Sequence, residues 1–210
     1  MGVDADVRVA TPGGTSSGRV VLVPPDLVHA VDAPGPVFGV LVDPEEHPGA
    51  RAAARDAGRS PRVLDGRAAS RVEAAVRSHR ASLARPEVLA GLSSEILAAL
   101  CTERGPLVDR RVLRALEALR DPDVPRGALV TGSGVSEVHL QALFVRDVGV
   151  PIRRYRLWRR VMAGVLGLRA RDATRAAHDA GFADAAHFSR ACRGTLGYTP
   201  TQMRAALASR

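Results

Sequence analysis

The chain of 210 residues contains no lysine and no asparagine, so all 30 of its basic side chains are arginines. A genome rich in G and C, whose codons favour Arg and Ala, accounts for that bias without reference to function. Aromatic residues make up 3% of the chain against 46% apolar residues, so a core must be built mainly from Ala, Val and Leu. No apolar run approaches the roughly 20 residues that a membrane span needs. The N-terminus, MGVDADVRV, lacks the basic start and apolar middle of a signal peptide. Cysteine is nearly missing too. Cys101 and Cys192 stand far apart, which excludes a disulfide framework and a metal-ligand spacing. Two inert thiols in a reducing cytoplasm are the expectation.

What is present is unevenly placed. Residues 1–105 carry 12 Arg against 13 acidic residues, whereas residues 106–210 carry 18 Arg against 9. The excess positive charge lies wholly in the second half, an asymmetry that points to a polyanion, most often nucleic acid.

The first half reads as short strands followed by two helices. TPGGTSSG (11–18) has the composition of a loop, and RVVLV (19–23), LVHAV (27–31) and VFGVLV (37–42) are strand candidates. Residues 43–62 read as a loop containing a short helix. Val72, Ala75, Val76 and Leu83 mark one face of a first helix ending before Pro86. Leu89, Leu92, Ile96 and Leu100 line a second, closed by Gly105-Pro106. That apolar face is a candidate dimer interface, with packing inside the monomer as the competing reading.

The second half repeats itself. GVSEVHLQALFVRDVGVP (134–151) and GFADAAHFSRACRGTLGYTP (181–200) superpose at an offset of 48, which places His139 on His187, Leu140 on Phe188, Phe144 on Cys192, Val148 on Leu196 and Gly149 on Gly197. In each copy a short helix leads through a glycine turn to a capped second helix. Helix 125–132, Gly134 and Ser136 serve the first copy, and helix 172–179, Gly181 and Asp184 the second. Helix, glycine turn and a helix with a polar outer face make a helix-turn-helix, whose second helix enters the major groove. Between the copies, PIRRYRLWRRVMAGVLGL (151–168) would form a helix of roughly 25 Å, able to hold two readers about one DNA turn apart. Asp109 is placed to cap an earlier helix bearing Val112, Leu113, Leu116 and Leu119, and Thr199-Pro200-Thr201-Gln202 fits a capping box for a last one.

The segment GFADAAHFSRACRGTLGYTP resembles the C-terminal signature of AraC/XylS transcription regulators, and the resemblance extends over residues 108–207. In the first copy it is carried by Gly134, Ser136, His139-Leu140, Phe144, Gly149 and Tyr155. It implies an all-α domain of about seven helices whose two helix-turn-helix units read adjacent major grooves. Carried over by position, the DNA-binding candidates are Ser136, Glu137, Val138, Gln141, Ala142 and Arg146 in the first reader. In the second they are Ala185, Ala186, Ser189, Arg190 and Arg193, with Arg193 favoured for a phosphate. Two departures stand out. Cys192 replaces the usual Phe, and helix 125–132 carries Gly127, Thr131 and Gly132 where strong helix formers are usual, which suggests a loose first unit.

In the first half, Gly18, Pro24, Asp26 and His29 resemble the second motif of a cupin barrel, with Asp26 where that motif has Gly and Ala33 where it has Asn. The paired histidines and glutamate of a first motif are absent before residue 18, and a lone His29 does not hold a metal. His29 therefore reads as a turn or strand-end histidine in a truncated barrel.

The expected architecture is α+β: a cupin-like sensor segment (1–62), a helical pair for linkage or dimerisation (63–105), and a DNA-binding domain (106–210). Within the last lie a first helix-turn-helix at 125–147, a linker helix at 151–168 and a second helix-turn-helix at 172–194. The expected function is a sequence-specific transcription regulator, not an enzyme, without cofactor or metal, in a bacterial cytoplasm at the nucleoid. Promoter DNA is the partner, with a small-molecule effector, RNA polymerase and a second copy of the chain as further candidates. Two alternatives stay open: a cupin-type enzyme fused to a DNA-binding tail, and an architectural DNA-binding protein with one working reader.

Overall fold

A computed structural model of the chain describes residues 1–42, 58, 60–82, 86–100, 108–121 and 123–208. The chain divides into two compact units, Met1–Val108 with Asp147–Gly149, and Asp109–Arg146 with Val150–Arg210.

Among its described residues the N-terminal unit holds five short strands and two helices. Strands β1 (Val7–Thr11), β2 (Gly14–Gly18) and β4 (Ala30–Asp32) form an antiparallel sheet in the order β2-β1-β4. Strand β3 (Val20–Leu22) pairs with β5 (Arg62–Leu64). The tract 11–18, expected as a loop, is mostly strand. Thr11 pairs with Gly14 and Val7 with Gly18, so only Pro12-Gly13 forms the turn. Pro at the second turn position presets φ, and Gly14, which closes the turn, takes a φ of 135° that favours glycine, so two residues suffice. Thr11 Oγ1 secures the bend by donating to Gly14 O at 3.0 Å and accepting from Gly13 N at 3.2 Å. Ser and Gly are poor strand formers, but β1 alternates buried Val7 and Val9 with exposed Arg8 and Ala10, and β2 pairs along it.

Two further strand expectations change. Only Ala30 and Val31 of the second candidate join the sheet, in β4, and Val28 is exposed. Residues 37–42 form no ladder. Val37 makes a single bridge to Gly2, while Phe38 N donates to Met1 O and Val3 N to Pro36 O. Phe38 and Val40 pack on the core instead. Asp26 has φ 59°, a left-handed conformation that glycine adopts at lower cost. His29 is exposed and its Nδ1 lies 2.7 Å from Leu27 O, the local contact of a turn histidine. The stretch 43–57, the tail of the first helix at Leu83 and the Gly105-Pro106 boundary lie outside the described residues.

Helix α1 (Gly66–His79), continued by a 3₁₀ turn at Arg80–Ser82, packs on α2 (Pro86–Leu100). Val72 and Val76 on α1 meet Leu92, Ile96 and Ala99 on α2, with Val20 completing the core. Leu92 and Ile96 are thus buried within their own unit. The side chains of Leu89 and Leu100 are outside the described set.

The C-terminal unit contains seven helices among the described residues: α3 (Arg110–Ala118), α4 (Arg126–Ser133), α5 (Glu137–Val148), α6 (Ile152–Gly167), α7 (Ala173–Asp179), α8 (Ala185–Leu196) and α9 (Pro200–Ala208). Their starts follow local chemistry. Asp109 accepts from Arg111 N, Asp172 from Arg175 N at 2.8 Å, and Thr199 and Gln202 exchange bonds as a capping box. The chain is α+β with a helical C-terminal domain.

Candidate nucleic-acid interface

Each recognition unit is a short helix, a left-handed glycine and a capped helix. In the first, α4 ends at Gly134, whose φ of 70° lets its N–H reach Val130 O at 3.2 Å. Ser133 is buried and turns its hydroxyl back to Val130 O at 2.7 Å. Ser136 Oγ then accepts from His139 N at 3.3 Å and starts α5. Leu140, Leu143 and Phe144 are buried, and Phe144 meets the edge of Tyr155 on α6 at 5.5 Å between centroids.

The second unit closes more elaborately. Gly181 has φ 75°; its N–H bonds His178 O, and the N–H of Phe182 bonds Ala177 O, both at 2.9 Å. This pairing of a 5→2 with a 6→1 bond is a Schellman ending, and the residue after its glycine commonly supplies an apolar contact. Phe182 does so, being buried 5.1 Å from the ring of Phe188. Asp184 Oδ1 accepts from His187 N at 2.6 Å and begins α8. That hydrogen bond, with the nearby Arg190 guanidinium, holds the Asp184 carboxyl below its ordinary range. Cys192 sits fully buried beside Phe188, and burial pushes its thiol up to about 11, so it stays protonated. The caps Ser136 and Asp184 keep the 48-residue offset, but the turn glycines are 47 apart. The second turn has one residue more, and Phe182 fills it.

Helix α6 anchors the second unit through two contacts absent from the sequence reading. Arg160 Nε donates to Ala180 O at 3.1 Å, and its guanidinium lies 4.5 Å from the centre of the Phe182 ring. Gly164 leaves room for Phe188: a Cβ there would stand 2.5 Å from Phe188 Cε2.

The candidate DNA-binding residues fall outside these cores. On α5 and its cap, Ser136, Val138, Ala142 and Arg146 are exposed, while Glu137 and Gln141 are half-buried. On α8, Ala186, Arg190 and Arg193 are exposed, while Ala185 and Ser189 are half-buried. Two charged candidates on α5 are engaged within the unit. Glu137 pairs with Arg126 of α4, and Arg146 lies 3.9 Å from Asp109. Arg111 bonds the same Asp109 through its side chain and backbone, which holds that carboxyl well below the usual range. One exposed residue escaped the sequence reading. Val145 on α5 is 43% exposed and lies 48 residues before Arg193. The internal offset was the signal that could have found it.

Residues 129–206 match the family model described as a helix-turn-helix domain. This stretch is an AraC-type helix-turn-helix domain. It begins inside α4 and ends within α9, so α3 lies ahead of the matched segment. The AraC-type domain binds double-stranded DNA in regulation and is not an enzyme family, so residues 129–206 support a DNA-binding regulator of AraC type. No curated protein matches the chain significantly. Among the described residues, no helix is long and apolar enough to cross a membrane.

Proposed function

We propose that the chain is a sequence-specific transcription regulator that reads two successive major-groove segments of a promoter, one with α5 and one with α8. The observation that carries this reading is the repetition of one device. Two glycine-turned, oxygen-capped helices stand in one compact unit, joined by α6, whose 16 residues span roughly 24 Å. Candidate contacts from both helices are exposed, and the arginine excess of residues 106–210 suits the phosphates on either side. Each phosphate neutralised releases counterions, so binding weakens steeply as salt rises.

In this reading the N-terminal unit acts as a cupin-like sensor or dimerisation module. A small-molecule effector, a second copy and RNA polymerase are its partners, and the work is done in the bacterial cytoplasm at the nucleoid. The test is selection of bound fragments from a genomic pool with purified full-length protein at near-physiological salt. Recovery of a motif with two elements about one helical turn apart is the expected result. Binding to selected fragments no tighter than to random duplex at matched salt would overturn it.

A further inference from the structure

The two recognition helices superpose residue for residue, yet their outward stripes differ in chemistry. With about 100° between successive residues, Val138, Ala142 and Val145 share the side of α5 opposite Leu140, Leu143 and Phe144. Val138 is 80% exposed, Val145 43%, and Ala142 is exposed as well. The equivalent positions on α8, 48 residues on, are Ala186, Arg190 and Arg193, all exposed. Two positions that are apolar in the first reader are therefore arginines in the second. The charged neighbours on α5 are drawn aside, Glu137 to Arg126 and Arg146 towards Asp109.

From this contrast we infer that the readers recognise different base edges, so that the operator is asymmetric. Helix α5 reads A·T pairs through thymine methyl groups, and α8 reads guanine. The inference rests on the two-reader function proposed above. In the major groove only thymine offers a methyl group, and only guanine offers two adjacent acceptors, O6 and N7, to an arginine. A valine in a helix is nearly fixed at χ1, so Val138 can meet a methyl group with little loss of rotamer freedom. Against a G·C pair the same valine would cover O6 or the cytosine amine without satisfying it, an unpaired group that opposes binding. Gln141, half-buried beside the stripe, carries the amide that matches adenine N6 and N7. The second reader inverts this preference, since Arg190, with Arg193 beside it placed for a phosphate, finds no acceptor pair on thymine.

The experiment uses the full-length protein and duplexes selected from a random-sequence pool. In the best duplex, thymine is replaced by deoxyuridine and guanine by 7-deazaguanine, one element at a time. Deoxyuridine in one element should weaken binding by about fourfold for each buried methyl group removed. The same change in the other element should leave binding unaltered, while 7-deazaguanine should weaken binding only there. Val138→Ser, at an exposed position, should abolish the deoxyuridine effect and so assign that element to α5. Guanine-dependent binding in both elements, or indifference to deoxyuridine, would overturn the inference and leave the two-reader regulator standing. Failure to select any motif would remove that function and the inference with it.

Discussion

Gly164 and Phe188 share one contact that leaves no room for a side chain. A Cβ on Gly164 would lie 2.5 Å from Phe188 Cε2 and 2.6 Å from Cζ, and Phe188 is fully buried. Glycine inside a helix costs up to about 1 kcal/mol relative to alanine, so an unobstructed Gly→Ala change would stabilise α6. Here the overlap wins. Overpacking a filled core costs roughly 1–3 kcal/mol. Gly164→Ala should therefore lower the thermal midpoint, and a midpoint at or above wild type would contradict the packing.

Arg160 ties the linker helix to the second turn through Ala180 O and the Phe182 ring. Arg160→Ala should cost about 1–2 kcal/mol, combining a modest net hydrogen bond with a cation–π contact. Arg160→Lys should recover only part of this, because an ammonium keeps the charge but not the planar donor Nε. Urea unfolding of the three proteins without DNA checks it. Equal stabilities would mean that Arg160 does not position the turn.

Helix α4 and the cap that ends it carry glycines of opposite character. Gly132 lies inside the helix with open space around it, whereas Gly134 holds a left-handed φ of 70° at its end. Gly132→Ala should stabilise by roughly 0.5–1 kcal/mol, and Gly134→Ala should destabilise by about 1–2 kcal/mol. Chemical denaturation of the pair reads both signs at once. If both changes destabilised, the reading of α4 as a weak but ordinary helix would be wrong.

The cap at Asp184 makes stability depend on acid. Its carboxyl titrates lower in the folded protein than in the unfolded chain, because His187 N and Arg190 favour the anion. The stabilisation is thus complete above the unfolded value near 4 and is lost as pH falls through the folded one. Asp184→Asn keeps a capping oxygen but removes the titration. Unfolding measured between pH 6 and pH 2 should show a shallower acid slope for the variant. An unchanged slope would exclude Asp184 as a contributor.

The C-terminal helices were legible because their signals are local. Asp109, Ser136, Asp184 and the Thr199–Gln202 pair cap the helices that follow them, and each bond spans no more than three residues. The strands were legible only in part, with Val20–Leu22 and Ala30-Val31 inside candidates, because a strand is decided by a partner elsewhere in the chain. Gly14–Gly18 becomes strand only beside Val7–Thr11, and Val20–Leu22 finds its partner at Arg62–Leu64. At the candidate interface the candidates followed from the family resemblance, which left out the exposed Val145. The Arg126–Glu137 pair and the clamp by Arg160 did not, since both join different helices. The longer second turn was hidden by an alignment anchored on the capped helices.

The most direct test of the account is helical phasing on the selected duplex. Affinity is measured for the native spacing and for the same duplex with five base pairs inserted between its two elements, at matched salt. Half a turn carries one element to the opposite side of the DNA, and α6 is one continuous helix that fixes the distance between readers. The account predicts that affinity falls to that of a duplex with a single element. Unchanged affinity would contradict it.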